Sequence, residues 1–356
     1  MEKLMPSYYS RTKRLSRLIL GLLFMLSVSV VEGDDTTLDR ILLTDGSQIF
    51  GTVLGASKGQ VEIRTEFSGT LMISADQIES LYSGQPLVLQ LKDGRLLKAQ
   101  PISIAHRKFV VTTAGGDHTT YSVSDIKSIN PEPWMLGQGF KWSGFVSFSW
   151  DIESGNTDKN ELDYLLDTKW RKGSARWILK GEGELDKVSN EKNADNWTLM
   201  AKSDHFLTDT RYWGAALYLE SDQFADLDRR TFVGGYYGWQ WFGKPRFTLM
   251  TEPGLAYVTE DFIVASVEKK YISSTWNIDA SSNMLGKKTR LYLNQVGVWN
   301  LEATEDLVLN TRVGLSVPLL RKVEVAAEIK LEFDSGAPEG FEELDQTYKI
   351  RLGYRW

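Results

Sequence analysis

Few residues in this 356-residue chain could do chemistry. It has no cysteine, which excludes disulfides, thiolate zinc sites and cysteine nucleophiles. Its three histidines, His106, His118 and His205, are scattered, and no two share a ligand-like spacing. No metal or cofactor site is therefore expected. Asp45 and Asp93 each precede a glycine, and an Asp-Gly pair is first of all a turn that needs φ > 0. His205 follows Asp204, but adjacent strand residues point to opposite faces, so this acid and base cannot meet. With no nucleophile and base or acid pair in view, the chain is not expected to be an enzyme, and a hydrolase is the weakest reading.

The chemically informative residues are charges that alternate with apolar side chains. Near the C-terminus, Glu324, Glu328 and Lys330 interleave with Val323, Val325, Ile329 and Leu331; Lys349, Arg351 and Arg355 interleave with Tyr348, Ile350, Leu352, Tyr354 and Trp356. This is the period of a strand with one apolar and one polar face. Pairing Val323 with Trp356 sets Glu324 opposite Arg355, Glu328 opposite Arg351 and Lys330 opposite Lys349. These six charges are expected to line a lumen, since a charge facing lipid costs about 2–4 kcal/mol near the midplane.

The same alternation runs through the second half of the chain. Twelve strands are expected, at about 142–152, 160–171, 175–185, 196–206, 211–221, 230–241, 246–258, 272–284, 289–301, 306–317, 322–333 and 346–356. Tight turns such as Lys172-Gly173-Ser174 alternate with acidic connections expected near 186–195, 222–229, 259–271 and 334–345. Trp142, Trp170, Trp177, Trp213, Trp239, Trp241 and Trp356 fall near one set of strand ends, and Trp150, Trp197, Trp276 and Trp299 near the other. Two tryptophan girdles mark membrane interfaces, whereas a soluble sandwich would hold its aromatics at strand centres. The expected fold is an all-β transmembrane antiparallel β-barrel over 141–356. Outer-membrane lipids would surround it.

Ahead of the barrel lie three further segments. Lys3, Arg11, Lys13, Arg14 and Arg17 precede an apolar stretch, Leu18 to Val31, too short to span; Val31-Glu32-Gly33 suits a signal peptidase, so 1–33 reads as an export signal. Residues 34–130 repeat at an offset of 48: Leu43, Asp45 and Gly46 recur as Leu91, Asp93 and Gly94, and Ile78 and Ser80 as Ile126 and Ser128. Each copy, about 36–83 and 84–130, reads as short strands resembling small SH3-like or Sm-like modules, a periplasmic tandem suited to binding a protein partner. Residues 131–140 form a linker. The net charge of −6, more negative once the basic leader is removed, argues against nucleic acid.

A last strand with apolar residues at Tyr348, Ile350, Leu352, Tyr354 and Trp356 resembles the signal read by the barrel-assembly machinery, although the usual terminal residue is Phe. Gly144 to Asn156 (GFVSFSWDIESGN), the acidic connections and the ending Asp345 to Trp356 resemble the YdiY-like family of salt-induced outer-membrane proteins. That resemblance covers about 141–356. It implies an outer-membrane barrel with no catalytic residues to carry over. Three functions remain open: a narrow pore for small polar or ionic solutes, a scaffold anchoring the periplasmic repeat, and a surface hydrolase.

Overall fold

The computed structural model describes residues 38–356 except 58, 100–101, 106–107, 113–117, 123–124, 154–158, 189–190, 245, 265–267, 287 and 337–341. The expected export signal lies outside the described residues. The chain divides into two compact units, Met1–Asn130 and Pro131–Trp356.

In the first unit the 48-residue offset maps strand onto strand. Copy one holds β1 (Asp39–Leu43), β2 (Gln48–Ser57), β3 (Gln60–Thr65), β4 (Gly69–Ser74) and β5 (Ile78–Ser83). Copy two holds β6 (Leu87–Leu91), β7 (Leu96–Ala99), β8 (Ile102–Ala105), β9 (Lys108–Thr112), β10 (His118–Ser122) and β11 (Ile126–Ile129), with β7 and β8 answering to the two halves of β2. The registers repeat as well: Ile41 pairs Ile49 and Leu81, as Leu89 pairs Leu97 and Ile129. Gly46 and Gly94 turn the hairpins at φ 85° and 88°. The Ser47 amide donates to Asp45 (2.8 Å) and the Arg95 amide to Asp93 (3.0 Å), and these bonds hold both carboxyls below the usual range.

The copies interlock. Copy one's β5 pairs copy two's β8 (Leu81 with Ile104), while copy two's β11 pairs copy one's β2 (Ile129 with Ala56). Adding 48 to one contact and subtracting it from its partner gives the other, so the exchange is reciprocal. The two modules therefore form one eleven-stranded sheet. Ile41, Ile63, Leu81, Leu87 and Leu89, fully buried, draw its common core from both copies.

The second unit is a closed antiparallel barrel of twelve strands. They are β12 (Lys141–Glu153), β13 (Lys159–Lys172), β14 (Ala175–Val188), β15 (Glu191–Phe206), β16 (Arg211–Asp222), β17 (Leu227–Lys244), β18 (Phe247–Phe262), β19 (Glu268–Ser282), β20 (Arg290–Asn300), β21 (Leu307–Pro318), β22 (Val323–Asp334) and β23 (Leu344–Arg355). β23 closes on β12 through Phe145–Arg355 to Phe148–Leu352. Gly144 and Trp356 then exchange two backbone hydrogen bonds (3.2 and 3.0 Å). We call proximal the end where residues 131–140 meet the barrel, the Gly173 amide bonding the Trp134 carbonyl at 2.6 Å. The opposite end is distal.

The wall is apolar outside and charged inside. Ile350, Tyr348 and Leu255 are 75%, 72% and 59% exposed, while Asp204, Glu252 and Arg351 are buried. That inversion of a soluble protein's pattern suits a lipid surround. Three of the distal connections differ from expectation: most of 186–195 and 259–271 and half of 222–229 is strand, because β14 to β19 extend into them. Except for Asp226, their acidic residues sit on strands rather than on loops.

Because each copy lends its last strand to the other, residues 36–83 expressed alone should form a homodimer that repeats the exchange. Light scattering would show two chains, and a monomer by the same measurement that keeps its strand signal in circular dichroism would count against the exchange.

Candidate functional site in the charged lumen

Alternation along twelve strands carries ionisable groups inward from every side, and the barrel neutralises them in clusters. At the proximal end Arg176 bonds Asp204 (2.6 Å), Lys202 bonds Glu252, and Glu252 also accepts from Tyr212 (2.7 Å) and Asn277 (2.8 Å). Tyr236 donates to Asp204. Both tyrosines depend on glycine. Tyr212 pairs Gly238 across β16 and β17, and Gly214 pairs Tyr236. A Cβ at Gly238 would stand 2.1 Å from the Tyr212 ring, and one at Gly214 2.5 Å from Tyr236. Each ring lies flat on bare backbone and reaches a neighbouring carboxylate.

Midway, Arg312 of β21 bonds Glu182 of β14, on a nearly opposite wall. Arg312 also approaches Glu328 (3.2 Å), which takes Arg351 (3.1 Å) and the Tyr292 hydroxyl (2.8 Å). Lys349 holds Asp163 and Glu184 (2.6 Å), and Lys330 holds Glu332 (2.9 Å). At the distal end Arg230 of β17 gathers Glu260 (2.6 Å), Glu220 (3.2 Å) and, across the lumen, Asp334 of β22 (2.8 Å).

Between these clusters lie three chambers of about 220, 330 and 220 Å³, central, distal and proximal. Their charge is graded along the barrel. The distal chamber is lined by nine acidic and two basic side chains, the proximal one by five basic side chains and Asp279. The central chamber is mixed. A lumen of this kind can sort small ions by charge.

The six expected lumen charges all point inward. Glu324, Glu328, Lys330, Arg351 and Arg355 line the central chamber, and Lys349 packs against Asp163 and Glu184. Their register differs from expectation by two residues. Val323 pairs Tyr354, Glu324 pairs Gly353, Glu328 pairs Lys349 and Lys330 pairs Thr347. The Arg355 amide bonds the Lys322 carbonyl (2.8 Å), so the β22–β23 pairing ends two residues early and Trp356 falls beyond it, bonding Gly144 of β12 and laying its ring over that glycine. A slip of two keeps every face, and the ion pairs form on the diagonal instead: Arg351 to Glu328 at 3.1 Å and Arg355 to Glu324 at 2.6 Å. The expected Lys330–Lys349 juxtaposition does not occur.

Trp142, Trp177, Trp213 and Trp241 are exposed at the proximal end, with Trp170, Trp239 and Trp356 half-buried beside them. Trp197 and Trp299 are exposed near the distal end. Tyr348, Ile350, Leu352 and Tyr354 face outward. His205 is exposed against Trp213 (5.7 Å) and has its back to Asp204. His106 and the side chain of His118 lie outside the described residues. Sequence reasoning missed Glu182, Arg312, Arg230, Lys202 and Glu252. One signal was present: Tyr212-x-Gly214 and Tyr236-x-Gly238, antiparallel on adjacent strands, must place each tyrosine on the other's glycine.

A family described as "Protein of unknown function, DUF481" matches residues 146–356. No curated protein matches the chain. Among solved structures the chain is similar to the translocator domain of autotransporter NalP from Neisseria meningitidis, at 14% identity and TM-score 0.34, over 62% of this chain and 89% of that one. It is similar to the NanC porin at 8% identity and TM-score 0.38, over 60% and 98%. The outer membrane channel DcaP of Acinetobacter baumannii gives 8% identity and TM-score 0.30, over 90% and 94%.

Glu252 satisfies Lys202, Tyr212 and Asn277 at once, so Glu252→Ala strands a buried ammonium. Barrel stability should fall by about 3–5 kcal/mol, and replacing Lys202 with Met in the same chain should restore most of it. Urea unfolding of detergent-refolded protein measures both; a loss under 1 kcal/mol in the single variant would mean the cluster is hydrated.

Proposed function

We propose that this chain, a member of the DUF481 family of proteins of unknown function, is an outer-membrane barrel whose lumen is a narrow conduit for small ionic solutes. One observation carries the reading: three charge-graded chambers follow one another along the barrel, parted only by side chains. Twelve strands lie between the eight that side chains can fill and the sixteen that leave an open channel. Two ion pairs cross the lumen and narrow it, Arg312 with Glu182 in the lining of the central chamber and Arg230 with Asp334 in that of the distal one. The apolar outer wall and its tryptophan-bordered ends support a place in the membrane. No step of chemistry is assigned to the lumen, and the function proposed is not enzymatic.

The interlocked unit before the barrel is proposed to bind a periplasmic protein. Among the described residues its outer strands β4, β7 and β10 each pair on one side, leaving backbone donors and acceptors for an added strand. The YdiY-like resemblance fits the same placement, and export by a cleaved leader is part of the proposal.

Planar bilayers test the conduit. The wild-type protein should give small, discrete conductance steps, and Arg312→Ala with Glu182→Ala should raise the step size several-fold, since it removes the ion pair that crosses the central chamber. Silence from both proteins, each shown folded by circular dichroism, would reject the conduit.

A further inference from the structure

Most lumen cations are already held by close carboxylates. Arg176, Arg230, Lys349 and Arg355 each have one at 2.6 Å, and Lys330 has one at 2.9 Å. Besides Lys269 in the distal chamber, 5.2 Å from the Phe262 ring centre, and Arg171, 4.1 Å from that of Phe206, three cations differ. Lys169 and Lys180 share a single carboxylate, Asp167, at 3.7 Å from each. Arg290 makes no ion pair among the described residues, and its guanidinium stands 5.4 Å from the Tyr292 ring centre.

These three occupy one place. Lys169, Lys180 and Arg290 line both the central and the proximal chamber, together with Asp279 and Met200, so they form the neck between the two. They are also reachable. The side chains of Lys169 and Lys180 are 42% and 28% exposed, against 5% for Lys202 and 4% for Arg351. Three cations face two carboxylates, Asp167 and Asp279, and one positive charge remains unmatched. The clusters elsewhere hold the wall together; the neck has charge to spare and an opening on each side.

We infer that the neck is a binding site for a small organic monoanion that carries a carboxylate and hydroxyl groups. Arg290 presents a planar fork that can take a carboxylate through two parallel hydrogen bonds, and the two lysines add point charges beside it. The proximal chamber supplies neutral partners for hydroxyls: the Gln240 amide and the Thr248–Ser281 hydroxyl pair (2.7 Å). The single excess charge favours a monoanion over a dianion. The acidic distal chamber repels such a solute, so it reaches the neck from the proximal end. The inference deepens the conduit reading and rests on it for the route of arrival.

Titration calorimetry on the full-length chain, refolded in detergent at low salt, tests the site with gluconate as probe and sorbitol as its uncharged counterpart. Gluconate should bind and sorbitol should not. Arg290→Gln or Lys180→Gln should weaken gluconate about tenfold, and Lys269→Gln in the distal chamber should leave it unchanged. Circular dichroism and detergent-gel mobility verify that each variant folds. Bilayer recording separates this inference from the conduit. Gluconate binding without conductance supports the site while removing the conduit. Conductance without gluconate binding overturns the site, as does binding that Arg290→Gln and Lys180→Gln leave intact or that sorbitol matches.

Discussion

The barrel is organised by the cost of placing a charge against lipid. That cost, about 2–4 kcal/mol for a lysine or arginine at the midplane, acts on every strand and exceeds most single interactions in the wall. It sends Arg351, Arg312, Lys202 and Glu252 inward and leaves Ile350, Leu255 and Val233 outside. Once inside a ring of twelve strands, those charges are too close to remain solitary, and neutralisation follows as a second constraint. The cross-lumen pairs Arg312–Glu182 and Arg230–Asp334 are the outcome. What crosses the lumen is thus a consequence of what keeps the outside apolar.

This hierarchy accounts for what could be read from the chain. Face is a matter of parity, and parity is local: the alternation of Glu324, Glu328 and Lys330 with Val323, Val325 and Ile329 suffices to turn the charges inward. Register is not local. The connection between β22 and β23 is long and imposes no pairing, while Trp356 is claimed by Gly144 on the first strand of the barrel, a contact that spans the whole domain in sequence. The Arg312–Glu182 and Arg230–Asp334 pairs stayed hidden for the same reason, since they join opposite walls. The Tyr-x-Gly motifs were readable in principle, because only adjacent strands are involved.

The first unit illustrates the same limit differently. An offset of 48 discloses which strands match, and the registers of the two copies agree residue by residue. It cannot disclose which copy a strand completes, because identical edges accept either partner. The copies differ around that exchange. Asp39 of copy one is buried, accepting from Val53 and Ser83 (2.7 Å each), where copy two buries Leu87. A buried carboxylate with satisfied partners specifies a neighbour, whereas a leucine only fills space. That asymmetry gives the chain a way to tell its two halves apart.

Ion pairs in the lumen consequently fall into two kinds that differ in hydration. Lys202 with Glu252 and Arg351 with Glu328 are sealed by surrounding side chains, so the loss of one partner is felt as stability. Lys169 and Lys180 are open to the chambers and engage Asp167 only at 3.7 Å, so their contribution to stability is small. What sets Lys169, Lys180 and Arg290 apart is that they keep incomplete partners together, at the point where two cavities meet. Lipid exclusion explains why such charges point inward; it does not explain why these remain unmatched. A ligand that completes them does.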